Sequence, residues 1–477
     1  MFTTLVVLLH VTLAVAAAGH ALVYKRDSRS ALGWIGMCVV FPVAGPVLYF
    51  LFGVNRVHTR ARRMIRDAPF RLGVGYERGE YGSRDSVLDT DSVEPKWRVL
   101  ARVSGALTRR PLVNGNQVDP LHNGEAAYPA MLEAIDQAHE RVVLSTYIFE
   151  TNASGRRFID ALANAQRRGV DVRVLIDGVG ELYALPWAGQ LLRERGVRTE
   201  RFMRPSLWPP RVDINLRNHR KILSVDGETA FIGGMNIGDR HLLGAGATRN
   251  PVVDLHFRLR GPVVSQIETV FAEDWRFVTG EVLEPTPMDG SGPAGPSVCR
   301  AFTDGPNEDL DTMALVLNGA VSAATERVDI MTPYFIPPPA LVVAMQTAAL
   351  RGVHVRVLLP GRSNLRFVDW ATRNMLGELL AFGVDIRFQP PPFAHSKLFV
   401  VDRHYAIIGS ANIDPRSLRL NFELAAEIFC DATAGLLADH CDRMAARSRA
   451  VMQSEVDERP LAVRVRDSAC WLFSPYL

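Results

Sequence analysis

Lysine is nearly absent from this chain. Lys and Arg together number 54 among 477 residues, yet only four are Lys: Lys25, Lys96, Lys221 and Lys397. Arg takes almost every other cationic position, and it differs in kind, being a planar five-donor fork where Lys is a compact point charge. A position that keeps Lys in such a chain is therefore informative. Cysteine is scarce as well. Cys38, Cys299, Cys430, Cys441 and Cys470 are odd in number, scattered, and form no C-x-x-C pair. They argue against a disulfide framework or a zinc site and read as reduced, buried thiols. Excess charge is missing too: the net charge is +3, with a pI near 8.6. A broad nucleic-acid footprint normally needs a strongly basic domain or stripe. The length, by contrast, is ample for two or three domains with sizeable cores.

Half of the few lysines fall in one repeated pattern. The stretch His219–Arg240 reads HRKILSVDGETAFIGGMNIGDR, and His395–Arg416 reads HSKLFVVDRHYAIIGSANIDPR. Laid over each other without a gap, they pair His219 with His395, Lys221 with Lys397, Asp226 with Asp402, Gly233 with Gly409, Asn236 with Asn412 and Arg240 with Arg416. Two such stretches in register mean an internal duplication, and a duplicated His/Lys/Asn set implies one site built from two halves.

Those residue types suit phosphoryl transfer from a diester. A neutral imidazole can attack phosphorus and form a covalent intermediate, dividing one difficult displacement into two easier ones. A second, protonated imidazole can give its proton to the leaving alkoxide. Lys221, Lys397, Asn236 and Asn412 can hold the nonbridging oxygens as charge builds, with the Ser410 hydroxyl as a further contact. Such a site needs neither metal nor cofactor. Asp226 and Asp402 are the nearest candidates to orient the imidazoles, although each lies down a strand from its His and can equally serve the local fold.

The duplicated H-x-K-x4-D followed by G-G/S-x-N resembles the phospholipase D superfamily. The membrane-like start, the stretch Pro42–Gly53 and the closing Ser474-Pro475-Tyr476-Leu477 look like its bacterial cardiolipin synthase branch. The resemblance implies an α/β fold: two similar phospholipase D-like sandwich halves around one active site, preceded by two N-terminal transmembrane helices. It implies phosphatidyl transfer between two phosphatidylglycerol molecules, giving cardiolipin and glycerol through a phosphohistidine, with His219 as nucleophile and His395 as acid. It also implies a carboxylate beyond each G-x-x-N turn that orients a histidine. Glu423 matches that place in the second half, and Asp254 is the candidate in the first. Two other readings stay open: a membrane-bound phospholipase D releasing phosphatidic acid, and a phosphodiesterase acting on nucleic acid.

Taken in order, Phe2 to about Tyr24 is apolar and long enough to cross a bilayer as a helix. A second apolar run, Ala31 to about Val54, contains Pro42 and Pro46, which would kink it or make it re-entrant. The basic cluster from Arg56 to Arg66 outweighs the Lys25/Arg26/Arg29 turn, which places the catalytic part in the cytoplasm of a bacterial inner-membrane protein. The expected organisation is an anchor over 1–60, a linker over 61–110, catalytic halves over 111–283 and 298–477, and a Pro/Gly/Ser linker over 284–297. Alternating strand and helix patterns, RVVLSTYIF and VDVRVLI in the first half and VHVRVLL in the second, predict a largely parallel, helix-covered sheet. An insertion over 181–218 reads as a packed helix near 186–196, followed over 202–210 by an apolar lip facing the membrane. The partners expected are membrane phospholipids and the bilayer; nucleic acid is not expected.

Overall fold

The computed structural model describes residues 2–25, 28–53, 87–203, 206–207, 210–211, 216–244, 246–284, 286, 293–305 and 311–474. The basic cluster at 56–66, Trp208 and Pro209 of the expected lip, and the last three residues lie outside these.

One sixteen-stranded sheet carries both catalytic halves. Its centre is the antiparallel contact of Leu112–His122 with Ser297–Asp304. Outward from the first of these run Leu255–Arg260, Thr229–Gly233, Ile222–Val225, Arg141–Thr146, Asp171–Asp177 and Arg198–Phe202. Outward from the second run Glu423–Phe429, Tyr405–Gly409, Leu398–Val401, Arg327–Met331, His354–Pro360 and Asp385–Gln389. The two series match strand for strand, so the sequence repeat is also a repeat of topology. The halves are not two separate sandwiches, because their central strands bond to each other and continue one sheet.

Three strands of each half are parallel, Arg141–Thr146, Asp171–Asp177 and Arg198–Phe202 in the first and Arg327–Met331, His354–Pro360 and Asp385–Gln389 in the second. The other pairings are antiparallel, so the sheet is mixed where a largely parallel one was expected. The first two strands of each parallel set are buried almost throughout because helices cover them, whereas the third, RTERF and DIRFQ, is charged and only partly buried. Ala153–Arg167 buries Phe158, Ile159 and Leu162 against the first set, and Pro339–Leu350 buries Leu341, Val342 and Met345 against the second. RVVLSTYIF is a strand only to Thr146, after which the chain turns into the cleft. Asn114 and Gly115, residues that usually mark turns, lie inside the long strand Leu112–His122.

The segment before the first half does more than link. Trp97 is buried and stacks on Tyr405, with ring centres 5.8 Å apart, and the helix Arg98–Thr108 buries Leu100 and Ala101 in the core of the second half. At the N-terminus, Phe2–Tyr24 is one helix of 23 residues, about 34 Å long at 1.5 Å per residue. Its Thr4–Tyr24 portion is long and apolar enough to cross a bilayer. The second run is broken: the helix Ser28–Val40 stops before Pro42, and a short helix Ala44–Leu48 follows. His20 Nδ1 lies 2.7 Å from Tyr49 Oη, so this His of the first helix has a partner on the chain that follows the second.

Candidate active site

Both motif histidines arrive on segments that pair with the opposite half. His219 N donates to Phe422 O at 2.9 Å, and Asn218 bridges Phe422 in parallel. His395 N donates to Val253 O at 2.7 Å, continuing the short parallel pair Val252–Val253 with Phe393–Ala394. Each pairing brings a carboxylate from one half to the histidine of the other. His219 Nδ1 lies 3.1 Å from Glu423 Oε2, and His395 Nδ1 lies 2.8 Å from Asp254 Oδ2. An ionised carboxylate only accepts, so the proton sits on Nδ1 and Nε2 keeps its lone pair. The two lysines are placed alike: Lys221 Nζ and Lys397 Nζ each donate at 2.6 Å to the carbonyl of their own motif histidine. Lys397 Nζ also stands 3.0 Å from the His395 ring nitrogens.

The site is dry, which sets its charges. Burial presses Lys221 down to about 7 and Lys397 to about 8, each partly supported by Glu423 and Asp254. Burial also lowers both histidines, His395 furthest, with Lys397 and Lys221 adding to it. The carboxylates differ. Burial opposes the charge of Glu423, but His219, Lys221 and Ser410 outweigh it and hold the group at about 2. Asp254 is pushed up by burial, against which Lys397 and His241 work.

The remaining expected residues fall into place unequally. Asp226 and Asp402 do not meet the histidines. Each closes its hairpin in a left-handed conformation and accepts backbone N–H groups of the neighbouring loop. Asp226 takes His139, Glu140 and Arg141, and Asp402 takes Thr325, Glu326 and Arg327, all at 2.8–2.9 Å. Lys96 adds a 2.7 Å ion pair to Asp402. Ser410 is not turned to an incoming phosphate. Its hydroxyl donates to Glu423, and it accepts from Leu424 N at 3.1 Å. Its counterpart must be glycine: a Cβ on Gly234 would lie 2.6 Å from Asp254 Oδ2. Asn236 Oδ1 accepts from Ile148 N at 3.1 Å, leaving its N–H groups as donors outside that bond. Asn412 Nδ2 bonds Ser417 Oγ at 3.1 Å.

Of the insertion, the helix Ala188–Glu194 packs into the core through Ala188 and Leu192, as expected. Phe202 does not form a lip; it is buried against Phe277 and Phe422. The lip expectation for 206–210 concerns side chains outside the described residues.

One pair was invisible in the repeat. Arg220, whose counterpart is Ser396, is buried, donates to Asp274 Oδ1 at 2.6 Å and to Glu423 O at 3.1 Å, and so braces the His219 segment across the two halves. Asn218 Nδ2 bonds the other oxygen of Asp274 at 2.9 Å. Residues of this kind follow no motif. Their only trace in the sequence is an Asp in a helix otherwise spaced as core.

Comparisons with known proteins give the family. The model described as "Cardiolipin synthase, PLD-like domain" matches residues 131–275 and 317–445, one match for each half. The chain belongs to the phospholipase D-like cardiolipin synthase family. Cardiolipin synthase A of Pseudomonas putida (strain GB-1) is 35% identical over 424 residues, covering 89% of this chain and 87% of that protein. Cardiolipin synthase A of Pseudomonas fluorescens (strain Pf-5) is 35% identical over 428 residues, covering 89% and 88%. A "Phospholipase_D-nuclease N-terminal" model matches residues 12–53, the broken apolar hairpin. Among solved structures, phosphatidylserine synthase of Haemophilus influenzae Rd KW20 superposes with a TM-score of 0.62 over 80% of this chain and 100% of its own, at 15% identity. That likeness concerns the fold. In the terms of the family, the two H-x-K segments of this member form one centre, each completed by the other half.

Proposed function

We propose that this protein is a cardiolipin synthase that moves a phosphatidyl group from one phosphatidylglycerol to another. The observation that carries the reading is the crossed pair of His–carboxylate contacts, with both lysines, in one buried centre. His219 Nε2 attacks the phosphorus of the donor lipid. The bond from phosphorus to the headgroup glycerol oxygen breaks, and that oxygen takes a proton from His395. Phosphatidyl-His219 results. The hydroxyl of a second phosphatidylglycerol then attacks phosphorus while His395 takes its proton, and the P–N bond breaks to release cardiolipin. Lys221 and Lys397 neutralise the nonbridging oxygens, and the Asn236 amide donates to them.

The contrast between the carboxylates supports His219 as the nucleophile. Glu423 is held ionised and locks the Nδ1–H tautomer behind His219. Asp254, whose charge burial opposes, holds the His395 imidazolium less firmly through Nδ1, so the Nε2 proton passes more readily to the leaving group. The arriving phosphodiester brings a negative charge, which raises His395 toward the protonated form the first step needs.

We place the anchor over residues 1–60 as a hairpin of two membrane passes, with the catalytic halves over 111–283 and 298–477 on the cytoplasmic side of a bacterial inner membrane. The long first helix and the basic cluster after the hairpin support this.

The test is mass spectrometry of lipids after incubating the purified, detergent-solubilised chain with phosphatidylglycerol alone, without metal or nucleotide. Cardiolipin plus glycerol, lost in His219→Ala and His395→Ala, is the expected result. Phosphatidic acid as the sole product would make water the acceptor and the protein a phospholipase D.

A further inference from the structure

Two exposed apolar loops stand at equivalent places in the two halves. In the first, strand Asp171–Asp177 runs out into a loop where Leu182, Tyr183 and Leu185 are 57%, 61% and 77% exposed. In the second, the matching strand His354–Pro360 runs out into a loop that ends at Leu365, the N-cap of the helix Arg366–Leu380; Leu365 and, in the first turn of that helix, Phe367 are 47% and 40% exposed. Each strand is the parallel neighbour of the one that leads to a cleft tyrosine.

Each loop reaches the histidine of its own half through that tyrosine. The Tyr183 ring centre lies 6.2 Å from that of Tyr147, and the Tyr147 ring stands edge-on 5.4 Å from His219. Tyr334 Oη donates to Asn364 at 2.8 Å, and its ring stands edge-on 6.4 Å from His395. Tyr183 of the first loop also adds to the burial that raises the Tyr334 phenol. Phe473 extends the second loop, 5.9 Å from Phe367 between ring centres.

Leaving a Leu or Phe in water forgoes about 1.5–3 kcal/mol of burial, and a cluster of them around a catalytic mouth marks a contact surface. We infer that these loops are a pair of lips that dip into an anionic bilayer surface and seat the cleft mouth on it, one lip beside each lipid. Charge selects lipid as the occupant. Arg362 and Arg366 are exposed, make no ion pair among the described residues, and alternate with Leu365 and Phe367. That is the mixture suited to phosphate headgroups lying above acyl chains. The charge near the first lip is spent internally, because Glu181 is buried and paired with Arg201. The chain also carries its own membrane-length helix, Thr4–Tyr24, so a bilayer is within reach. Assigning one lip to each of two lipids rests on the transfer reaction proposed above; docking itself does not.

The test uses the full chain reconstituted in phosphatidylglycerol vesicles. The native cysteines are buried, so single substitutions Leu185→Cys, Phe367→Cys and Leu350→Cys accept an environment-sensitive fluorophore selectively. Leu350 is 71% exposed but precedes the same second-half strand at its other end. Expected is a blue shift and severalfold stronger quenching by chain-brominated lipid at positions 185 and 367 than at 350. The joint variant Leu185→Ser/Phe367→Ser should raise the apparent KM for vesicle lipid about tenfold. Lip probes as wet as the probe at 350, in a preparation that still makes cardiolipin, would overturn the inference. So would protection that tracks a dimer on dilution in detergent instead of the presence of vesicles. Quenched lips in a chain that makes no cardiolipin would uphold docking and remove the transfer reading.

Discussion

Glu423→Gln tests the centre most sharply. Glu423 is fully buried, and its carboxylate takes His219 Nδ1, Ser410 Oγ and Asn421 Nδ2 at once. The amide has one oxygen for three donors and brings two N–H groups of its own, so at least one donor is orphaned and the His219 tautomer is no longer enforced. The fall of this group from 4.5 to about 2 corresponds to on the order of 3 kcal/mol of preference for the charged form. A folded-state value below the unfolded one means that this contribution is complete above pH 4.5 and fades as pH drops toward 2. At neutral pH the substitution forfeits it. Losing the orienting carboxylate of a nucleophilic imidazole costs about 10³–10⁴ in kcat, or about 4–5.5 kcal/mol at 1.36 per decade. The assay is acid-quenched turnover of phosphatidylglycerol labelled in its phosphate, counting the acid-labile phosphoprotein and cardiolipin separately. Both should fall together, because the nucleophile is disarmed before the intermediate forms. A kcat within tenfold of the parent, or undiminished phosphoprotein with only cardiolipin lost, would refute the assignment of Glu423 and His219 as the nucleophilic pair.

Asp226→Ala and Asp402→Ala should each orphan three backbone N–H groups and cost about 2–4 kcal/mol. A lowered Tm with kcat of the folded protein within a few-fold is expected; a hundredfold lower kcat at unchanged Tm would return these residues to the chemistry. Gly234→Ser makes the first motif look like the second, yet should lower activity at least a hundredfold, because its Cβ would meet Asp254 at 2.6 Å; kcat at matched folding decides it, and a wild-type rate would mean Asp254 can move aside. The pH profile of kcat/KM reports the free enzyme. With Lys221 near 7 and Lys397 near 8, the ammonium charge is present below these values and lost above them, so kcat/KM should decline between pH 7 and 9; a flat profile to pH 10 would contradict the dry cradle. Arg220→Gln should reduce turnover about tenfold to a hundredfold while the activity–pH curve keeps its shape, as suits a residue that positions His219 without exchanging protons with it.

The repeat itself, the four chemical side chains His219, Lys221, His395 and Lys397, and the strand–helix alternation were legible in the chain because each is a local pattern. Strands buried on both sides must be apolar, and Lys stands out where Arg is the habit. The helix Ala153–Arg167 starts after Asn152, whose Oδ1 accepts from Gly155 N and caps its first turn. The duties of the carboxylates were legible only in part: the family resemblance pointed to Glu423 and Asp254 as histidine-orienting groups, and the structure sets both against the motif histidines, but nothing local in the chain said that each serves the other half. Asp226 and Asp402 sit within the motif, yet their oxygens go to backbone N–H groups that only the folded hairpin brings near. Glu423 and Asp254 serve histidines 204 and 141 residues away. Which carboxylate meets which histidine depends on the central strands joining the halves into one sheet, so that each motif segment lies along the other half. The sequence by itself determined that there are two half-sites of one chemistry. Only the tertiary structure decided that they complete each other crosswise, with Arg220 bracing one side alone, because spacing along a chain carries no information about contacts made across a pseudo-twofold axis.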